Sequence, residues 1–134
     1  MQGRYFTVEE ANEALTGVRP LAEQMVEHRR ALRALEERRA GLASAIGGNG
    51  GDIVPSELGE VAEALERERS AIARCIAGIN ELGGIVKDLD TGLVDFPTLR
   101  EGEEVLLCWR VGEEEIEYWH GLEEGFAGRK RLDG

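Results

Sequence analysis

The chain has 134 residues, a length typical of one domain, and we expect residues 1–134 to fold together. It carries 27 acidic against 16 basic side chains, a formal net charge of −11. This surplus argues against nucleic-acid partners and anionic membrane surfaces, because both bind clustered Lys and Arg. The sequence has no apolar run that could span a bilayer and no apolar signal core near residue 1, so we expect a cytoplasmic protein whose two cysteines are free thiols.

The helical part is predicted over residues 7–82. Thr7 can accept a hydrogen bond from the backbone N–H of Glu10, whose side chain can reach back to Thr7, and this capping box is typical of a helix start. Pro20 has no N–H to donate and restricts the residue before it, so it either kinks the helix or begins another. We expect a short N-terminal helix that ends near Pro20, followed by two longer helices.

Two heptad seams predict that the longer helices pack side by side. Apolar residues recur at spacings of three and four over residues 21–46, with polar interruptions at His28 and Arg39 that can fix register, and again over residues 58–82. The glycine-rich residues 47–52 separate the seams, which predicts an antiparallel hairpin. A small sheet cannot cover both apolar stripes, so we expect a homodimer through the helices. The interface residues predicted for this dimer are Leu32, Leu35, Leu65 and Ile72.

After residue 84 the apolar period changes from that of a helix to the alternation of strands. The stretches GIVKDLDTGLVDFPTL, EVLLCWRV and EIEYWHGL are predicted as short strands, with turns at residues 101–102 and 111–115. Residues 85–134 should therefore form a small sheet. The fold class is α+β: a long antiparallel helical hairpin, preceded by a short N-terminal helix, and followed by a small antiparallel β-meander.

Four segments carry a family resemblance: YFTVEEAN, VKDLDTGLVDFP, LLCWRVGE and IEYWHGLEEGFAGR. Together they resemble the bacterial proteins grouped as DUF2203, a family of unknown function. The resemblance covers nearly the whole chain and is weakest over residues 30–70. It implies a soluble prokaryotic protein with helices before a small sheet, and it implies no activity, cofactor or site residue.

Cys108 and His120 have the most distinctive chemistry in the C-terminal half. With the carboxylates of Asp95 and Glu113 they would make a ligand set for zinc or another divalent metal. Pairing their strands through a two-residue or a four-residue loop places Cys108 and His120 on opposite faces, and only a one-residue slip or a bulge brings them together. The alternative is a buried thiol that packs as a small apolar side chain and a histidine hydrogen-bonded at a strand end.

The aromatic residues of the same hairpin are predicted to be packing residues. In both simple registers Trp109 and Trp119 point to opposite faces, so we expect one face to pack on the helices and the other to be covered by residues 125–129 or by a second copy. The glycines of residues 121–129 can instead cradle an anion beside Arg129. A tight turn with Arg129 paired to a carboxylate is the simpler interpretation.

The sequence contains no nucleotide-binding, serine-hydrolase, zinc-protease or Cys-x-x-Cys motif. Two functions from different classes stay open. One is a dimeric helical-hairpin module that binds or scaffolds a partner protein or small molecule, with an acidic sheet end. The other is a small metal-binding protein or metalloenzyme with its site around Cys108 and His120.

Overall fold

The computed structural model describes residues 4–47 and 55–132. Two helices precede a five-stranded antiparallel sheet whose strands lie side by side in chain order, so the predicted α+β fold of helical hairpin and β-meander is confirmed. The helices are α1 (Val8–Gly47) and α2 (Pro55–Glu81). The strands are β1 (Ile85–Asp88), β2 (Leu93–Arg100), β3 (Glu103–Arg110), β4 (Tyr118–His120) and β5 (Lys130–Arg131), with a 3₁₀ turn at Phe126–Gly128.

Helix α1 begins at the predicted capping box and continues without a break. The Glu10 N–H donates to Thr7 Oγ1 and the Thr7 N–H donates to Glu10 Oε1, both at 3.0 Å. Pro20 lies inside the helix, so the prediction of a separate short N-terminal helix is wrong. Proline removes one helical hydrogen bond, but the stripe that contains Leu15, Val18 and Met25 is buried on both sides of Pro20. Continuous burial of that stripe outweighs the one missing bond.

Helices α1 and α2 bury their apolar stripes against each other within one chain. Leu32, Leu65 and Ile72 are no more than 6% exposed, and Leu35 is half-buried. The four side chains predicted for a dimer interface therefore already have partners inside one chain, because the second helix covers the first. Most of the predicted glycine-rich turn at residues 47–52 lies outside the described residues.

His28 interrupts the α1 seam and contacts α2. Its Nδ1 lies 2.7 Å from Glu68 Oε1. A directional polar contact of this kind favours one axial register of two helices over its neighbours. The contact is compatible with the register-setting role predicted for His28, which stays a prediction.

The sheet has an inner face toward the helices and an outer face away from them. The inner face carries Val94, Phe96, Leu107 and Trp109, all at most 1% exposed and all part of the main core. Phe6, just before α1, packs edge-on against Phe96 with ring centroids 5.4 Å apart. Alternation along β2 and β3 then assigns Asp95 and Cys108 to the outer face.

The register of β3 and β4 differs by one residue from both registers considered in the sequence analysis. Cys108 pairs with Tyr118 and Leu107 with Trp119. Trp109 and Trp119 therefore share the inner face, and the prediction that they point to opposite faces is wrong. By the same one-residue shift, Cys108 and His120 share the outer face.

Contacts to α1 explain this register. After β3, the Glu113 N–H donates to the Arg110 carbonyl at 3.1 Å in a tight turn, and the chain then departs from the ladder. The Ile116 N–H donates to Asn12 Oδ1 at 2.8 Å, and Arg19 donates to the carbonyls of Glu113 and Glu114. Ile116 is itself 2% exposed. Tertiary packing thus fixes a connection that is neither of the two short hairpin loops.

Two further features complete the fold. Glu101 and Gly102 have φ values of 54° and 82°, the left-handed pair typical of a two-residue hairpin, which confirms the predicted turn between β2 and β3. In the described part of the chain, neither helix is long and apolar enough to cross a membrane.

Candidate metal centre

Three metal-ligating side chains meet on the outer face of the sheet. Asp95 lies on β2, Cys108 is its partner on β3, and His120 lies on β4 two residues beyond the partner of Cys108. One ligand atom from each side chain lies within 4.8 Å of the other two. Asp95 and Cys108 are 0% exposed and His120 is 2% exposed. Three of the four predicted metal ligands are therefore brought together, and they come from three adjacent strands.

Both ring nitrogens of His120 face hydrogen-bond acceptors, but a neutral imidazole carries only one N–H proton. Nδ1 lies 2.8 Å from the Gly121 carbonyl, which can only accept, so Nδ1 carries a hydrogen. Nε2 lies 3.0 Å from Asp95 Oδ2. A neutral imidazole then presents a lone pair to a carboxylate, which is repulsive. The contact needs a second proton, on Nε2 or on the carboxyl group, or a cation bound between the two atoms.

Asp95 is an unusual carboxyl group for the interior of a sheet. Its Oδ1 is buried and, within the described residues, has no hydrogen-bond partner of normal geometry, although the Cys108 thiol is close by. Burial raises the pKa of Asp95, and the opposing effects of His120, Cys108 and Lys87 do not cancel it. A thiol is a weak donor, so it compensates the buried acceptor only in part. A buried acceptor of this kind is often explained by a bound ion, an ordered water or a function.

Cys108 is protonated at neutral pH in this environment. Burial, and next the negative charge of Asp95, raise the pKa of its thiol to about 12. A catalytic cysteine needs a lowered pKa and a histidine or other cation as its direct activator. The raised pKa opposes an activated thiolate; it is compatible with a buried packing thiol and with metal coordination, which displaces the thiol proton.

Glu113 is not part of this cluster. Its carboxylate makes a two-pronged ion pair with Arg129, with both oxygens 2.7 Å from guanidinium nitrogens, and it also accepts the Arg110 N–H at 3.0 Å. Burial pushes the pKa of Glu113 up, but these hydrogen bonds outweigh it and hold the pKa below its usual range. Glu113 thus stabilises the turn after β3, and its prediction as a metal ligand has no geometric support.

Arg129 fastens the C-terminal loop to the outer face. Its guanidinium lies 4.0 Å from the centre of the Tyr118 ring and 4.6 Å from that of Phe126, and it donates to the Cys108 carbonyl at 3.1 Å. The predicted pairing of Arg129 with a carboxylate is confirmed by its ion pair with Glu113. The outer face is accordingly covered by this chain's own C-terminal segment, one of the two covers expected from the sequence.

A cavity of about 400 Å³ adjoins the cluster. Asp95 and His120 form part of its wall, beside Lys87 and Leu93 from the sheet, and the remainder comes from the loop. The loop residues that line it are Leu122, Glu123, Glu124, Gly125 and Phe126. The cluster is thus buried beneath the sheet surface but reachable from one side.

Sequence reasoning missed Lys87 and Leu122 as neighbours of the cluster. Both are ordinary surface residues by type, and only the packing of the loop against the sheet places them in one cavity. It also missed the Gly121 carbonyl as the group that orients His120. A backbone partner leaves no signal in residue type.

A comparison with protein-family models decides the family. The model described as "Uncharacterized conserved protein (DUF2203)" matches residues 4–132, nearly the whole chain and all three clustered residues. The chain belongs to the DUF2203 family. Comparisons of this DUF2203 protein with curated proteins and with solved structures gave no significant match. The resemblance noted from the sequence is therefore confirmed, and the family description assigns no activity.

Proposed function

We propose that this DUF2203 protein binds one divalent metal ion, of the Zn²⁺ type, through Asp95, Cys108 and His120. The observation that carries the proposal is the burial of these three side chains with their ligand atoms within 4.8 Å of one another. A thiolate, an imidazole and a carboxylate are a mixed set that suits zinc and other borderline ions, whereas calcium and magnesium take oxygen ligands.

The distances are close to those a bound ion needs. Ligand atoms about 2.0–2.3 Å from a tetrahedral ion lie about 3.3–3.6 Å from one another. The distance of 3.0 Å between His120 Nε2 and Asp95 Oδ2 must lengthen slightly to reach this range. The distances from Cys108 Sγ to the other two ligand atoms, which lie within 4.8 Å, must fall in the same range. Both are changes of about 1.5 Å or less. The Gly121 carbonyl supports the arrangement by holding the imidazole with Nε2 toward the cluster.

Three protein ligands leave one position of a tetrahedral ion open. Structural zinc sites close all four positions with protein ligands, whereas catalytic sites keep one for water or substrate. Asp95 and His120 line the cavity, so the open position is expected on the cavity side. The proposed centre is accordingly of the open type, in which the ion binds a water molecule or a ligand.

Metal analysis of protein purified without a histidine tag tests the proposal. We expect about one equivalent of bound zinc per chain after loading and desalting. Cys108→Ala should lose it. Cys75→Ala is the matched control, because Cys75 is also a buried free cysteine but lies on α2 in the helical core. Equal metal content in both variants, or none in the wild type after loading, would contradict the proposal.

A dimeric binding or scaffolding module is the other function predicted from the sequence, and it stays a prediction. Leu32, Leu65 and Ile72 are packed within one chain, which favours other surface for contact with a second copy or a partner. The large apolar side chains that are exposed in the described residues are Tyr5, Val8, Leu82, Ile85, Leu99, Leu122 and Phe126. Sedimentation equilibrium at micromolar concentration tests association directly: about 29 kDa supports the dimer, and 14.7 kDa opposes it.

A further inference from the structure

The cavity beside the candidate metal centre holds a second positive group. Lys87, at the irregular step between β1 and β2, lines the cavity together with Asp95 and His120. Among the described residues, Lys87 makes no hydrogen bond or close ion pair and acts on Asp95 only through its charge, whereas Lys130 is paired with Glu124 at 2.7 Å. The Lys87 side chain and a metal with an open position would thus border the same small space. Their common ligand is an anion.

The charges around the cavity favour an anion of single charge over an anion of higher charge. A divalent ion bound by one thiolate and one carboxylate has a local charge of 2 − 1 − 1 = 0, so the attraction for an anion comes from the open metal position and from Lys87. Glu123 and Glu124 also line the cavity, and the Lys130 pair compensates only Glu124. A phosphate dianion would meet one uncompensated carboxylate and only one free cation. A carboxylate carries a single charge and avoids most of this repulsion.

The rest of the wall is suited to an apolar group. Leu93 comes from the sheet, and Leu122 and Phe126 from the loop. Leu122 is 53% exposed and Phe126 is 41% exposed, so both have apolar surface that a ligand can remove from water. The volume of about 400 Å³ is at the small end of ligand sites.

We propose that the cavity binds a small monocarboxylate with an apolar body, with its carboxylate between the open metal position and Lys87 and its apolar part against Leu93, Leu122 and Phe126. This inference rests on the proposed metal site, because the metal supplies half of the anion recognition. It names the ligand class that the metal centre would receive.

Cobalt substitution tests the two proposals separately. Co²⁺ bound by Cys108 gives a thiolate charge-transfer band near the ultraviolet and visible d–d bands, which report on the open position. Phenylacetate, acetate and inorganic phosphate are then titrated into the Co²⁺ protein. We expect phenylacetate to change the d–d bands at concentrations about tenfold or more below acetate, and phosphate to be the weakest of the three.

Variants identify the protein groups. Lys87→Gln should keep the charge-transfer band and weaken phenylacetate by about tenfold or more, the usual scale for a lost charged hydrogen bond. Leu122→Ala should reduce the preference for phenylacetate over acetate. Arg74→Gln is the control: it removes the same charge from an exposed position on α2, outside the residues that line the cavity.

The outcomes are distinguishable. Absence of the charge-transfer band removes the metal site and this inference with it. A normal band with no response to any anion, or a response that Lys87→Gln leaves unchanged, overturns the inference and leaves the metal proposal standing. Tighter binding of phosphate than of phenylacetate overturns the proposed ligand class.

Discussion

Replacing Asp95 with Asn is expected to stabilise the metal-free protein while removing its response to metal. In the wild type, both nitrogens of His120 face acceptors, Gly121 O at 2.8 Å and Asp95 Oδ2 at 3.0 Å. The Asn amide keeps the shape of the carboxyl group, removes a buried charge, and donates an N–H to Nε2. In the variant, the Nδ1–H of His120 donates to the Gly121 carbonyl and the Asn amide donates to Nε2, so neither side chain needs to be charged.

The cost of protonating Asp95 sets an upper bound on the gain in unfolding free energy. Keeping a proton on a carboxyl group at pH 7 costs about 1.4 kcal/mol per pH unit above its pKa of about 3.9 in the unfolded chain, so at most about 4 kcal/mol. We therefore expect a gain of about 1–4 kcal/mol. With an unfolding entropy of about 2.1 cal/mol/K per residue, or about 0.28 kcal/mol/K for this chain, the Tm rises by about 4–14 °C.

Thermal melts followed by circular dichroism, with chelator and then with excess Zn²⁺, provide the assay. The raised pKa of Asp95 means that its carboxyl group adds stability below about pH 4, and that this contribution is lost as the pH rises through the folded-state pKa. The advantage of Asn should accordingly shrink toward pH 4. Zn²⁺ should raise the Tm of the wild type only, by mass action.

Asp95→Ala is the matched control, since it removes the charge but leaves His120 Nε2 without a donor and should lower the Tm. One result would refute the reasoning. If Asp95→Asn lowers the stability of the chelated protein by several kcal/mol, His120 is an imidazolium in a stabilising buried ion pair with Asp95. The cluster would then be complete without a metal.

Three further predictions concern the fold. Leu32→Glu should unfold the chain instead of only separating two copies, because Leu32 is 5% exposed inside the hairpin. Circular dichroism measures this, and Ala34→Glu, at an exposed neighbouring position, is the control that should melt near the wild-type temperature. Trp109→Ala should lower the free energy of unfolding by about 3–5 kcal/mol, or the Tm by about 11–18 °C, because the ring is fully buried and its Nε1 donates to the Glu113 carbonyl at 2.9 Å. A decrease in Tm of less than about 5 °C would contradict this packing. Thiol titration of denatured, non-reduced protein should count two per chain, as Cys75 and Cys108 are both free, and a count of zero would show a disulfide.

Much of the fold could be predicted from local signals. The capping box at Thr7, the heptad seams and the turn at residues 101–102 depend on neighbours within a few positions, and all three appear in the structure. The break expected at Pro20 did not occur. Proline's local cost is one missing hydrogen bond, and burial of the α1 stripe against the rest of the molecule exceeds it.

The sequence by itself determined the helical hairpin, the meander and the ligand types available, because periodicity and residue chemistry are local properties. Tertiary structure decided which of those ligands meet. Contacts from Asn12 and Arg19 to the chain after β3 set a register one residue from either simple hairpin, and that shift turns His120 to the face of Cys108 and Asp95. Side chains on a strand alternate with a period of two, so a single-residue shift separates an assembled site from a dispersed one.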